Sequence, residues 1–105
     1  MLKYLDMINK LSLNSKVWFK EEKKPYKVMA ISDRYIILTK PFNLKKTVFY
    51  TIIDLKEGIR SSDDRLFSFG YETSQQCAER LNDLMNGVSK LSRRNSIRCN
   101  IVKVI

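Results

Sequence analysis

The sequence predicts an α+β fold: a curved antiparallel sheet, or a small SH3-like or split barrel, with a short N-terminal helix and one packed helix at about 73–86. Short runs rich in β-branched and aromatic residues recur along the chain, the composition that suits a pleated, half-buried surface. One capped amphipathic helix interrupts them late. Five or six short strands in roughly 80 residues would also leave edges that closure of the sheet removes. At 105 residues the chain is read as a single domain, 1–105.

Residues 2–11 set Leu2, Leu5, Ile8 and Leu11 three apart, with Lys3, Asp6, Asn9 and Lys10 between them. That spacing suits a short amphipathic helix, ended by Asn14-Ser15. Lys16-Val17-Trp18-Phe19-Lys20 reads as a strand and Glu21 to Pro25 as a charged turn. In Tyr26 to Ile31, Tyr26, Val28 and Ala30 share a face, and Ser32-Asp33-Arg34 turns the chain. Tyr35 to Thr39 does not alternate and reads as a buried strand, broken by Lys40-Pro41-Phe42-Asn43. Thr47 to Ile53 is wholly β-branched or aromatic, the strongest strand signal present. Asp54 to Arg65 is polar, holds Gly58 and reads as a loop, whereas Leu66 to Tyr71 places Phe67, Phe69 and Tyr71 on one side of a further strand.

Thr73 and Gln76 have the spacing of a capping box, in which two side chains satisfy backbone N–H groups the helix leaves orphaned. Cys77, Leu81, Leu84 and Met85 form the apolar stripe of that helix, and Gly87 falls where a left-handed terminating residue is wanted. Ile97 to Ile105 carries apolar residues on both faces and reads as a strand placed centrally in the sheet.

Charge is unevenly distributed within the total of +9. Residues 16–50 carry nine Lys/Arg against three acids and residues 89–105 five against none, whereas residues 51–88 carry four against seven. Lys16, Lys20, Lys23, Lys24, Lys27, Lys40, Lys45, Lys46, Arg93, Arg94, Arg98 and Lys103 are therefore candidates for a basic surface, which draws polyanions and speeds their encounter.

Catalytic chemistry is sparse. The chain has no His, and its three isolated glycines cannot form a phosphate-binding loop. Asp54, Glu57, Asp63 and Asp64 could hold a divalent cation, yet their spacing matches no ligand set and the reading is a solvated acidic loop. Cys77 and Cys99 are read as small buried apolar residues rather than a bridge or a nucleophile. The expectation is a non-enzymatic protein that uses no cofactor or metal. The first residues lack the unbroken apolar run of a secretory signal, and no window approaches the ~18 apolar residues of a membrane span, so a reducing compartment is expected.

Two constellations carry the candidate partner-binding residues. One is the basic loop from Lys40 through Phe42 to Lys45 and Lys46, where Phe42 offers a ring for stacking or insertion and the lysines surround it. The other is Ser92 to Arg98, whose Arg93, Arg94 and Arg98 suit phosphate contacts. Trp18, Phe19, Tyr26 and Tyr35 are read as core rather than as a base-stacking platform. The helix has Glu79, Arg80 and Asp83 on its polar side, a poor match to a phosphate-lined groove.

Several separated blocks resemble a family of small uncharacterised proteins encoded by bacteriophages and prophages. They are Lys24-Pro25-Tyr26, Ser32 to Tyr35, Thr39 to Asn43, Thr47 to Asp54, Gly70 to Thr73, and Arg94-Asn95. The resemblance implies a phage accessory protein in the cytoplasm of a bacterial host, and carries no catalytic or binding residues with it. Together with the charge pattern it leads to a phage-encoded binding protein. Such a protein would engage and inhibit a host nucleic-acid-handling protein or ribonucleoprotein, in the anti-defence manner of an anti-CRISPR. The alternatives are a DNA- or RNA-binding regulator of the phage and an oligomeric structural or assembly factor.

Overall fold

A computed structural model of the chain describes residues 8–41, 48–61, 73–91, 94 and 96–105. Among the described residues seven strands form one curled antiparallel half-barrel sheet: β1 (Lys16–Phe19), β2 (Tyr26–Ile31), β3 (Tyr35–Pro41), β4 (Val48–Asp54), β5 (Ile59–Ser61), β6 (Ser96–Arg98) and β7 (Ile101–Val104). Their order across the sheet is β6-β5-β4-β3-β2-β1-β7, and one helix, α1 (Ser74–Met85), packs on it. Of the helix expected over 2–11, residues 2–7 lie outside the described residues; Ile8 and Asn9 are helical and Lys10 is in a turn. The strand expected over 66–71 also lies outside them.

Alternation along each strand builds two cores, one on each side of the sheet. The concave side buries Val17, Phe19, Tyr26, Val28, Ile36, Leu38, Ile53, Cys99 and Ile101, with Leu11. On the opposite face Ala30, Ile37 and Ile52 meet Cys77, Leu81 and Leu84 of α1. Residues 35–38 do not alternate because both faces of β3 are covered, as their continuous apolar run predicts.

The capping box is present. Gln76 N–H donates to Thr73 Oγ1 at 3.1 Å, and the Gln76 side chain accepts from Thr73 N–H at 3.0 Å. The helix ends at Asn86, and Gly87 follows with φ +74°, the left-handed conformation that glycine adopts without strain. Met85 is 50% exposed, so the stripe is Cys77, Leu81 and Leu84.

Three strand expectations need correction. Residues 54–65 are not a continuous loop: the chain turns at 55–58 and returns as β5. Asp54 Oδ1 accepts the Lys56 and Glu57 N–H groups at 3.0 and 3.3 Å, and Gly58, φ +68°, donates to Asp54 O at 2.9 Å. β3 is not broken at Lys40, because Lys40 pairs with Phe49 and Pro41 with Val48.

The last stretch is not a single central strand. It divides at Cys99-Asn100 into β6 and β7, which lie at opposite ends of the strand order. The segment 96–104 therefore reaches from β5 to β1. Cys99 N–H donates to Gly58 O at 3.0 Å, and Lys20 N–H to Asn100 O at 2.9 Å.

Two bulges re-aim side chains. Val28 faces Leu38 but Ala30 faces Ile37, so Met29 is an extra residue and Ala30 turns to the helix side. Trp18 faces Lys103 but Phe19 faces Ile101, so Val102 is extra and stands 51% exposed.

Candidate nucleic-acid interface

The outward face of β2, β1 and β7 gathers cations around an indole. Val17 and Phe19 point into the concave core, which sends their neighbours Lys16 and Trp18 outward. Register does the rest. Lys16 lies opposite Lys27, and Trp18 opposite Lys103, with Lys103 Nζ 5.0 Å from the indole centroid. An exposed contact of this kind contributes about 0.5–1 kcal/mol. Lys16 also exchanges two backbone hydrogen bonds with Ile105, at 2.8 and 2.9 Å, which sets that 68% exposed side chain beside it. Like charges facing each other across strands are unfavourable in the isolated protein. Among the described residues Lys16, Lys20, Lys27 and Lys103 have no ion-pair partner. The hydrogen bond from Lys20 to Asn100 brings Lys20 to the joint between β6 and β7.

Of the residues singled out from the sequence, Arg94 is exposed, and Arg98 is exposed on β6 opposite Ile59. Arg98 and Lys103 thus flank the 99–100 joint. Phe42, Lys45, Lys46 and Arg93 lie outside the described residues. Lys40 is turned into the concave side. Its Nζ pairs with Glu22 Oε1 and sits 4.7 Å from the Tyr26 ring and 5.5 Å from the Phe49 ring, its side chain 16% exposed. The structure therefore does not bring Lys40 together with Arg94 and Arg98.

Sequence reasoning placed Trp18 with the core aromatics. Phe19 and Tyr26 are core, packed edge-to-face at 5.4 Å, and Tyr35 lies half-buried beside the helix-side core. Trp18 is the exception. The signal was present in Lys16-Val17-Trp18-Phe19-Lys20: once Val17 and Phe19 are assigned inward, Trp18 shares its face with two lysines.

A buried ionic cluster closes one end of the concave side. Arg60 reaches Glu21 Oε1 at 3.0 Å and Glu22 Oε2 at 2.9 Å, and its Cζ lies 4.1 Å from the Phe19 centroid. Tyr26 donates its phenol proton to Glu22 Oε1 at 2.9 Å. Burial alone would raise the Glu22 carboxyl, but hydrogen bonds from Lys40 and Tyr26 and the Arg60 charge hold it below the usual range. Burial and the Glu22 carboxylate push the Tyr26 phenol well above its ordinary value. These charges are used internally, and the cluster is structural.

The acidic run is likewise occupied where it is described. Asp54 accepts from Arg34 Nε at 3.3 Å and Nη2 at 3.2 Å, besides the two turn N–H groups. Burial opposes ionisation of Asp54, yet these donors hold its carboxyl below the usual range. Asp63 and Asp64 lie outside the described residues. Among the described residues no group of three His, Cys, Asp or Glu could hold a metal ion, and no helix is long and apolar enough to cross a membrane. A cleft of about 400 Å³ between the Arg34–Asp54 pair and residues 84–91 contains Arg34 and Asp54 already engaged with each other.

Comparison of the chain with protein-family models, with curated proteins and with solved structures found no match.

Proposed function

We propose that this chain is a non-enzymatic, phage-encoded binding protein that engages, and inhibits, a nucleic-acid-handling complex in the cytoplasm of a bacterial host. In this reading the curled sheet is an SH3-like barrel, closed by the segment 96–104. The observation that carries the function is the outward face of β2, β1 and β7, where Lys16, Lys27 and Lys103 surround Trp18 without an acidic partner among the described residues. Arg98 and Lys20 extend that face toward β6. A cationic surface of this kind favours a polyanion-bearing partner over a neutral protein.

The test is affinity capture from host lysate, with and without nuclease, using the intact protein and a Lys16→Glu/Lys27→Glu variant. A nucleic-acid-containing complex retained by the former and lost by the charge-reversed variant is the expected result. Equal retention by both would show that another surface binds, and would reject the reading.

A further inference from the structure

We infer that the ligand of the outward β2–β1–β7 face is single-stranded nucleic acid, one base of which stacks on Trp18. This deepens, and rests on, the reading of that face as a basic interface. Lys103 Nζ lies 5.0 Å from the indole centroid, so the ring face it covers is held only by an exposed, solvent-borne side chain that an incoming group can displace. A base stacks on an indole more strongly than an exposed ammonium holds to it, and the displaced Lys103 is then available to a phosphate. Lys16 is two positions from Trp18 on the same face, a spacing of ~6.8 Å along a strand. Lys27 lies opposite Lys16. Phosphates on either side of the stacked base thus have cations within side-chain reach.

Duplex offers no such fit, because its bases are stacked on one another and present only edges in the grooves. Among the described residues the helix that could enter a groove is α1, which packs against the helix-side core and whose exposed Glu79 and Arg80 are of opposite sign. An open sheet surface with one ring and several lysines is the arrangement that tracks an unpaired strand without reading its sequence.

Trp18 is the only tryptophan in the chain, so its fluorescence reports the contact directly. The intact protein is titrated with oligothymidylate, oligouridylate and a duplex of matched length at several salt concentrations. Both single strands should quench Trp18 and bind more tightly than the duplex, and the DNA and RNA arms show which sugar is preferred. Lys103→Gln should flatten the slope of log K against log[salt] by about 0.7. Trp18→Ala should weaken binding roughly 5- to 150-fold, and Trp18→Phe should retain most of it. Because truncating a half-buried ring can unsettle the sheet, Lys16→Gln and Lys103→Gln, which leave both cores intact, carry the salt test independently. Binding that leaves Trp18 emission unchanged, or tighter binding to duplex, overturns the inference. Absence of binding to all three oligonucleotides also overturns it, and nuclease-resistant capture of a complex that Lys16→Glu/Lys27→Glu abolishes would then leave the proposed function standing.

Discussion

Arg60 Nη2 lies 2.9 Å from Glu22 Oε2, tying β5 to the β1–β2 turn across one end of the curled sheet. The Arg60 side chain is 6% exposed and that of Glu22 23%, so neither charge is solvated as it would be at the surface. Arg60 also holds Glu21, and Glu22 also holds Lys40 and Tyr26. Glu22 Oε2 and Arg60 Nε have no hydrogen-bond partner among the described residues, so the 2.9 Å contact acts through charge rather than through an aligned hydrogen bond.

Removing one member of such a pair is costlier than removing both. Arg60→Ala should destabilise the protein by roughly 2–4 kcal/mol, somewhat below the figure for a fully buried pair because Glu22 is partly solvated. Arg60→Met combined with Glu22→Gln should recover part of that loss. Urea denaturation of the two variants checks it, and equal midpoints would contradict it.

Acid should weaken the fold through Glu22 and Asp54. Both carboxyls titrate lower in the folded chain than in the unfolded one, so the unfolded state binds the extra protons. Their stabilisation is complete above the unfolded values and is lost as pH falls below about 5 and through the folded values. Unfolding midpoints should therefore drop between neutral pH and pH 3, with Glu22→Gln and Asp54→Asn flattening the profile.

Leu81 is 9% exposed between α1 and the sheet, so Leu81→Ala should cost about 2–5 kcal/mol. Met85→Ala, at a 50% exposed position, should change stability by less than about 0.5 kcal/mol. Thermal melts of the two variants separate the buried stripe from its exposed neighbour.

Cys77 is buried in the helix-side core and Cys99 in the concave one. The sheet lies between them, so both should resist a thiol reagent in the native protein. Two equivalents should react once the chain is unfolded, without prior reduction.

The helix was legible because Thr73, Gln76 and Gly87 act locally: capping and a left-handed terminus depend on neighbouring backbone alone. β5 was not, because Arg60 is a charge turned inward. Glu21, Glu22 and Phe19, distant in sequence, make that orientation stable, together with Thr51 on the neighbouring strand. Ile97 to Ile105 misled for a different reason. Apolar residues on both faces read as burial on both sides, whereas the bulge at Val102 shifts the alternation within an end strand. Of the candidate interface, the charge imbalance was visible in the sequence, but the choice between Lys40 and Lys103 was not. Lys40 is taken inward by Glu22, and the register with β1 sets Lys103 over Trp18.

The way 96–104 spans the sheet also orders events in time. β1 is made early, yet its β7 partners, residues 101–104, are synthesised only after β2 to β6 and the helix. Contacts so far apart in sequence form only after a long loop has been closed, which slows their appearance. Until they do, β1 presents an unpaired edge, the kind of surface on which chains pair with one another. A ribosome-bound chain halted before residue 101 should therefore expose Lys16 to Phe19 as a sticky strand, and emergence of residues 101–104 is the step that seals it.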